Sequence, residues 1–150
     1  MNELSELYQQ LILDHNANPR NYGTLDEYTH SAEGNNPLCG DVVFLQLRVE
    51  DENVTQIAFS GEGCAICKAS SSLMTERMKG KTLAQCRELF KLFHALATGD
   101  DSVSPDSKLL GKLVVFSGVR EFPMRVKCAT LSWHTLISAL ENKGAVAVTE

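Results

Sequence analysis

The sequence predicts an α+β fold in which a small antiparallel sheet has helices packed on one face. Two observations predict it. Val42, Phe44, Leu45, Leu47 and Val49, then Val54, Ile57 and Phe59, are β-patterned runs separated by Asp51-Glu52-Asn53, which reads as a hairpin. Other stretches carry apolar residues at helical spacing. A sheet with one face to bury and amphipathic helices cover each other best as two layers.

The elements follow in chain order. Leu4, Leu7, Tyr8, Leu11 and Ile12 mark a helix over about 3–15, with its apolar face towards the core, and Asn18-Pro19 ends it. An early strand is expected near Tyr28 to Glu33, ahead of the hairpin strands 42–49 and 54–59. Helices are expected at about 64–79, stopped by Gly80, and at about 82–97 with Thr82 as N-cap. A last helix is expected at about 128–142, before Gly144. The connector from Thr98 to Ser107 is polar, acidic and expected to be mobile. There are no internal repeats.

Composition narrows the function classes. A chain of 150 residues, 43% of them hydrophobic, is expected to be a single domain spanning 1–150 with a real core. Its first residues, Met1-Asn2-Glu3-Leu4-Ser5-Glu6, have neither a basic stretch nor a long apolar run, so a secretory signal and a membrane span are not expected. Five cysteines without such a signal imply reduced thiols and a cytoplasmic location. The net charge of -5 argues against nucleic acid and leaves proteins as the expected partners.

The chemistry concentrates in Cys39, Asp41, Cys64 and Cys128. Cys39-Gly40-Asp41 leads into a β-patterned run, and in extended chain residues i and i+2 point to the same side, about 6 to 7 Å apart. That span admits two ligands of one metal, and Gly40 lets the backbone close the chelate. Cys64 follows Gly61-Glu62-Gly63 and opens a helix, where the dipole favours a thiolate. Cys128 follows Arg125-Val126-Lys127 and is read as another helix start with two cations nearby. Three thiolates and one carboxylate suit tetrahedral zinc. The competing reading is core packing, since free cysteine is among the most buried residue types. Core packing accounts for Cys86, which lies on the stripe Leu83, Cys86, Leu89, Phe90, Phe93 and Ala97. It fits Cys39 and Cys64 less well, because their glycine-rich segments offer little core to fill. Cys128 alone is compatible with either.

Cys67 makes Cys64-Ala65-Ile66-Cys67 a C-x-x-C at a helix start, without the preceding strand and tryptophan-rich context of an oxidoreductase. A packing role is expected for it, with a disulfide to Cys64 or metal ligation as alternatives. None of the four histidines is a favoured ligand. His134, six residues after Cys128, projects about 240° away round the helix.

Three segments carry a family resemblance: Gly34-Asn35-Asn36-Pro37-Leu38-Cys39-Gly40-Asp41, Gly61-Glu62-Gly63-Cys64-Ala65-Ile66 with its serine-rich helix, and Gly118 to Leu131 around Phe122-Pro123-Met124-Arg125-Val126-Lys127-Cys128. Together with Leu7-Tyr8, Asp14-His15 and Pro19-Arg20-Asn21, they resemble the iron–sulfur assembly proteins of the IscU/NifU-like superfamily, and most nearly its SufU branch. The likeness runs from about residue 4 to about 142 and implies the same α+β, SufU/IscU-like fold. Scaffolds of the IscU type carry a Leu-Pro-Pro-Val-Lys motif and a histidine just before the third cysteine, whereas this chain has Lys127 there. It also has a longer stretch from about Thr98 to Phe122, as SufU-type proteins do.

The resemblance implies a zinc-dependent acceptor of persulfide sulfur from a cysteine desulfurase of the SufS type, with downstream iron–sulfur assembly proteins as further partners. It implies Cys39 as the acceptor, freed when the desulfurase supplies a histidine to the metal. Asp41, Cys64 and Cys128 would then keep the zinc. Arg125 is implied to pair with Asp41 or with the departing thiolate. The alternative reading is a scaffold that builds a [2Fe-2S] cluster on the same thiolates, and a third is a purely structural zinc module.

Overall fold

The computed structural model describes residues 3–102, 107–141 and 146–148. In chain order the elements are α1 (Glu3–Ala17), β1 (His30–Asn36), β2 (Asp41–Glu50), β3 (Asn53–Glu62), α2 (Ala65–Met78), α3 (Leu83–Thr98), a single turn α4 (Ser107–Leu110), a run of 3₁₀ turns (Gly111–Glu121), α5 (Pro123–Leu140) and β4 (Val146–Val148). The first three strands form an antiparallel meander, and β4 adds in parallel to β1, giving the order β3-β2-β1-β4. The α+β architecture expected from the sequence is the one observed. β4 is an addition to it, and β1 begins at His30, slightly later than expected.

The hairpin is where the patterning put it. Glu50 pairs with Asn53, and Asp51 and Glu52 between them have φ of 50° and 64°. A two-residue loop with both φ positive matches the right-handed twist of its strands, so these two side chains accept a left-handed backbone that Asn-Gly would adopt more readily. Strand pairing sets Ala32 beside Leu45 and Leu45 beside Phe59 on one face, with Val43, Leu47 and Ile57 also buried. Phe44 points to the opposite face and is 46% exposed. All the helices therefore have one face of the sheet to cover.

Gly34 lies on the covered face, paired with Val43. A β-carbon there would meet Thr135 Oγ1 at 2.0 Å, so its missing side chain lets α5 lie close against β1. Between α1 and α5 runs α2, buried on almost every side although it carries Ser70, Ser71, Ser72 and Thr75, each with no exposed surface. Their hydroxyls are all used. Ser70 donates to the Ala129 carbonyl at 2.6 Å and accepts from Trp133 Nε1 at 3.1 Å, and Ser71 donates to the Cys67 carbonyl at 2.8 Å. Ser72 Oγ bonds His15 Nδ1 at 2.7 Å and accepts the Arg20 amide at 2.8 Å. Satisfied hydroxyls cost little to bury, and small side chains let three layers of backbone approach.

Thr82 caps α3 in a reciprocal capping box with Gln85, and Gly99 closes it with φ of 77°. Phe93 on α3 stacks on Trp133 of α5 at 4.1 Å between ring centroids, with Phe116 edge-on at 5.6 Å. Tyr8, Leu11 and Ile12 of α1 pack against the core as expected; the side chains of Leu4 and Leu7 are outside the described set.

Two parts of the second half depart from the expectation. The last helix starts at Pro123, whose fixed φ and missing N–H suit a first helical turn, and it ends at Leu140, while Gly144 lies outside the described residues. Cys128 is consequently inside the helix and not at its start. The long connector also contains structure. Leu110, Leu113, Phe116 and Val119 recur every third residue and are all buried, as one face of a helix with three residues per turn requires. Arg77 of α2 holds this segment by donating to the carbonyls of Lys108 and Leu109. Of the polar connector itself, residues 103–106 are outside the described set.

Gly34→Ala should destabilise the fold by about 1–3 kcal/mol in urea denaturation through overpacking against Thr135, and Thr135→Ala should restore most of the loss in the double variant. An unchanged midpoint in Gly34→Ala would contradict the close approach.

His15 and His134 lie below the ordinary value of 6.5, each chiefly through burial, with Arg20 adding to the effect at His15 and His94 at His134. The unfolded chain therefore binds more protons as pH falls through 6.5, and stability should decline from there downwards. His134→Phe should flatten this decline in melting curves taken between about pH 7 and 5.

Candidate metal centre

The site forms at one end of the sheet, where the β1–β2 turn, the β3–α2 junction and α5 meet. Register explains why. Asn36, the last residue of β1, pairs with Asp41, the first of β2, and both face the helices with 0% and 1% exposure. Between them the chain reverses through a turn closed by the Cys39 amide donating to the Asn36 carbonyl at 3.2 Å. Gly40 then has φ of +71°, a conformation that suits glycine. Cys39 and Asp41 are thus brought together by a turn and not by the extended chain expected from the sequence. Cys39 remains exposed at its tip.

Cys64 is the N-cap of α2, and its Sγ accepts the Cys67 amide at 3.4 Å. Its own amide donates to Asp41 Oδ1 at 3.0 Å. On α5, Cys128 is 4% exposed and faces the same point. The ligand atoms of Cys39, Asp41 and Cys128 lie within 4.8 Å of one another. Cys64 is outside that tightest group, but its side chain neighbours the Cys128 thiol.

Asn36 ties the set together. Its Nδ2 lies 3.4 Å from Asp41 Oδ2 and 3.8 Å from Cys128 Sγ. The sequence reading passed over it. The signal was its position, five residues before the aspartate across a turn, which makes the two cross-strand partners at the sheet's end.

The donor set fits a thiophilic dication. Sulfur and one carboxylate oxygen are the donors zinc takes, and the buried Asp41 carboxylate has no ion pair among the described residues. Asn36 Oδ1 is buried without a hydrogen-bond partner. Burial, reinforced by Asp41 and Cys64, pushes the Cys128 thiol above the ordinary range. A bound dication inverts that balance by favouring the thiolate.

The remaining candidates fall into place around this centre. Cys67 lies on the inner side of Cys64, 2% exposed, and its thiol is raised first by burial and then by the Asp41 charge. Cys86 is wholly buried between α3 and the core and is pushed up to about 11, again by burial. Arg125 is exposed, with its guanidinium 4.5 Å from the Phe122 ring centre, and it makes no ion pair with Asp41. His94 and His134 pack against each other and against Phe90, and His15 bonds Ser72, so these rings are engaged in packing.

Comparison with known proteins bears on the same residues. The family model described as the NifU-like N terminal domain matches residues 7–129. A zinc-dependent sulfurtransferase SufU of Bacillus subtilis is 41% identical over 136 residues, covering 89% of this chain and 88% of that protein. An iron–sulfur cluster assembly scaffold protein IscU of Streptococcus pyogenes is 36% identical over 142 residues, covering 95% and 87%. Among solved structures, a scaffold protein for the SUF system from Fervidobacterium islandicum superposes with a TM-score of 0.83 at 33% identity, covering 90% of this chain and 97% of its own.

Asn36→Leu should keep the fold, read by circular dichroism, yet weaken zinc binding about 10- to 100-fold in a competition titration against a chromophoric chelator. Unaltered affinity would remove Asn36 from the centre.

Proposed function

This chain belongs to the NifU-like N-terminal domain family, the iron–sulfur cluster assembly proteins of the IscU and SufU kind, and we propose that it is a zinc-dependent acceptor of persulfide sulfur. The donor would be a cysteine desulfurase, and iron–sulfur assembly proteins would receive the sulfur. One observation carries the reading: the four donors differ in exposure. Cys39 is exposed on a turn, while Asp41 and Cys128 are buried in a strand and a helix. Cys64 is also exposed but is tied to the start of α2 by the Cys67 amide, so Cys39 is the sulfur placed to leave and return while the others stay.

Zinc held by Cys39, Asp41, Cys64 and Cys128 would keep the Cys39 sulfur deprotonated at neutral pH. The Cys39 thiolate attacks the outer sulfur of the desulfurase persulfide, the S–S bond there breaks, and the desulfurase cysteine departs as thiolate. Cys39 is left as the persulfide. Asn36 and the Cys64 amide hold the Asp41 carboxylate in place meanwhile. Leu38, next to Cys39, and Phe122 and Met124, at the start of α5, are 61%, 46% and 43% exposed and would offer a docking protein apolar surface. Arg125, exposed over the Phe122 ring and free of any ion pair with Asp41, would be available to an acidic partner group. No described helix is long and apolar enough to cross a membrane.

A scaffold reading is kept because relatives of both names are similar to this chain. Protein purified without oxygen should contain about one zinc per chain, and iron with acid-labile sulfide in its place would favour the scaffold. Cys39→Ala should abolish stimulation of a desulfurase, and mass spectrometry should find the added sulfur on Cys39. Sulfur located chiefly on Cys67 would sink the assignment. Asp41→Ala should impair transfer; a long-lived reconstituted cluster with intact stimulation would reverse the two readings.

A further inference from the structure

We propose that Cys64 and Cys67 form a reversible dithiol–disulfide couple, oxidised by a peroxide, that withdraws Cys64 from the metal set. The withdrawal rests on the zinc reading above; the couple itself does not.

The geometry is that of a paired thiol. Cys64, exposed, caps α2, and Cys67 sits one turn inside with 2% exposure. The 3.4 Å hydrogen bond from the Cys67 amide folds the Cys64 sulfur back over the first turn, towards the residue it would join. Residues three apart in a helical turn lie within the Cα separation a disulfide spans, so closing the bond needs only local adjustment. An exposed sulfur at a helix N-terminus is the one an oxidant reaches first.

Access supports the same partner. Beside Cys67 is a crevice of about 10 Å³ lined by Gly61, Gly63, Lys68 and Ser71 among others, room for about one water molecule. A leaving water fits there, but the sulfur of a bulky thiol does not. Cys64, whose sulfur already accepts the Cys67 amide, is the thiol placed to pair with Cys67.

The chemistry balances in two steps. The Cys64 thiolate attacks a peroxide oxygen, the O–O bond breaks, and Cys64 becomes a sulfenic acid while hydroxide leaves. The Cys67 thiol then attacks that sulfur, the S–O bond breaks, and water carries away the oxygen with the Cys67 proton. Two electrons have passed to the peroxide. The new disulfide leaves Cys64 unable to act as a thiolate donor, and a dithiol reductant restores it.

The test uses the full chain, metal-free and zinc-loaded, with hydrogen peroxide. Metal-free protein should lose two hydrogens, and peptide mapping should place a disulfide between Cys64 and Cys67 that dithiothreitol reverses. Cys39→Ala should form the same bond. Cys67→Ala should instead take up oxygen, with the reducible fraction falling about tenfold or more. Zinc-loaded protein should release metal to a chromophoric indicator as the bond forms, and recover it on reduction. A Cys64–Cys128, Cys39–Cys128 or Cys39–Cys64 disulfide as the main product, or Cys67→Ala oxidising reversibly like the parent, would overturn the couple. The metal-free arm reads the couple whether or not the zinc reading stands.

Discussion

The architecture turns on a carboxylate buried at the end of the sheet. Asp41 faces the helices because strand register leaves it no other side, and a charge in that position is costly unless it is bound. It takes one hydrogen bond from the start of α2 and one from the neighbouring strand. Those two bonds fix the β3–α2 junction against the β1–β2 turn, and α5 then brings Cys128 to the same point. The donors converge around this carboxylate.

The helix behind the site meets a different demand. To bring Cys64 over Asp41, α2 must run through the middle of the helical layer, where large side chains would push its neighbours apart. Serine and threonine solve this by volume, and their hydroxyls turn inward to carbonyls on α2 and α5 and to groups from the α1 segment. Gly34 solves the matching problem between β1 and α5 by having no side chain at all. Precision at the site is thus set by close backbone approach as much as by apolar bulk.

Much of this was legible in the sequence. Alternation gave the hairpin, Thr82 gave the start of α3, and the glycines before Cys64 gave a helix opening there. What escaped depends on partners distant in the chain. Asn36 matters because of what it faces across the turn, and polarity alone does not reveal that. Pro123 begins α5 ahead of the apolar run that announced it, so Cys128 was placed at a terminus when it lies inside. The three-residue spacing from Leu110 to Val119 was present but belongs to a helix type seldom sustained for that length. The resemblance pairs Arg125 with Asp41 or with the departing thiolate, and in this structure its guanidinium rests on Phe122.

The position of Trp133 makes the assembly of this centre observable. It is the chain's single tryptophan, it lies on the same helix as Cys128, and it is buried between Phe93 and the Ser70 hydroxyl. Its emission therefore comes from one place and changes when α5 leaves α2 and α3. Since Cys128 can reach Asp41 only with that helix docked, the indole is an internal optical gauge of whether the third thiol is in position, and it needs no label.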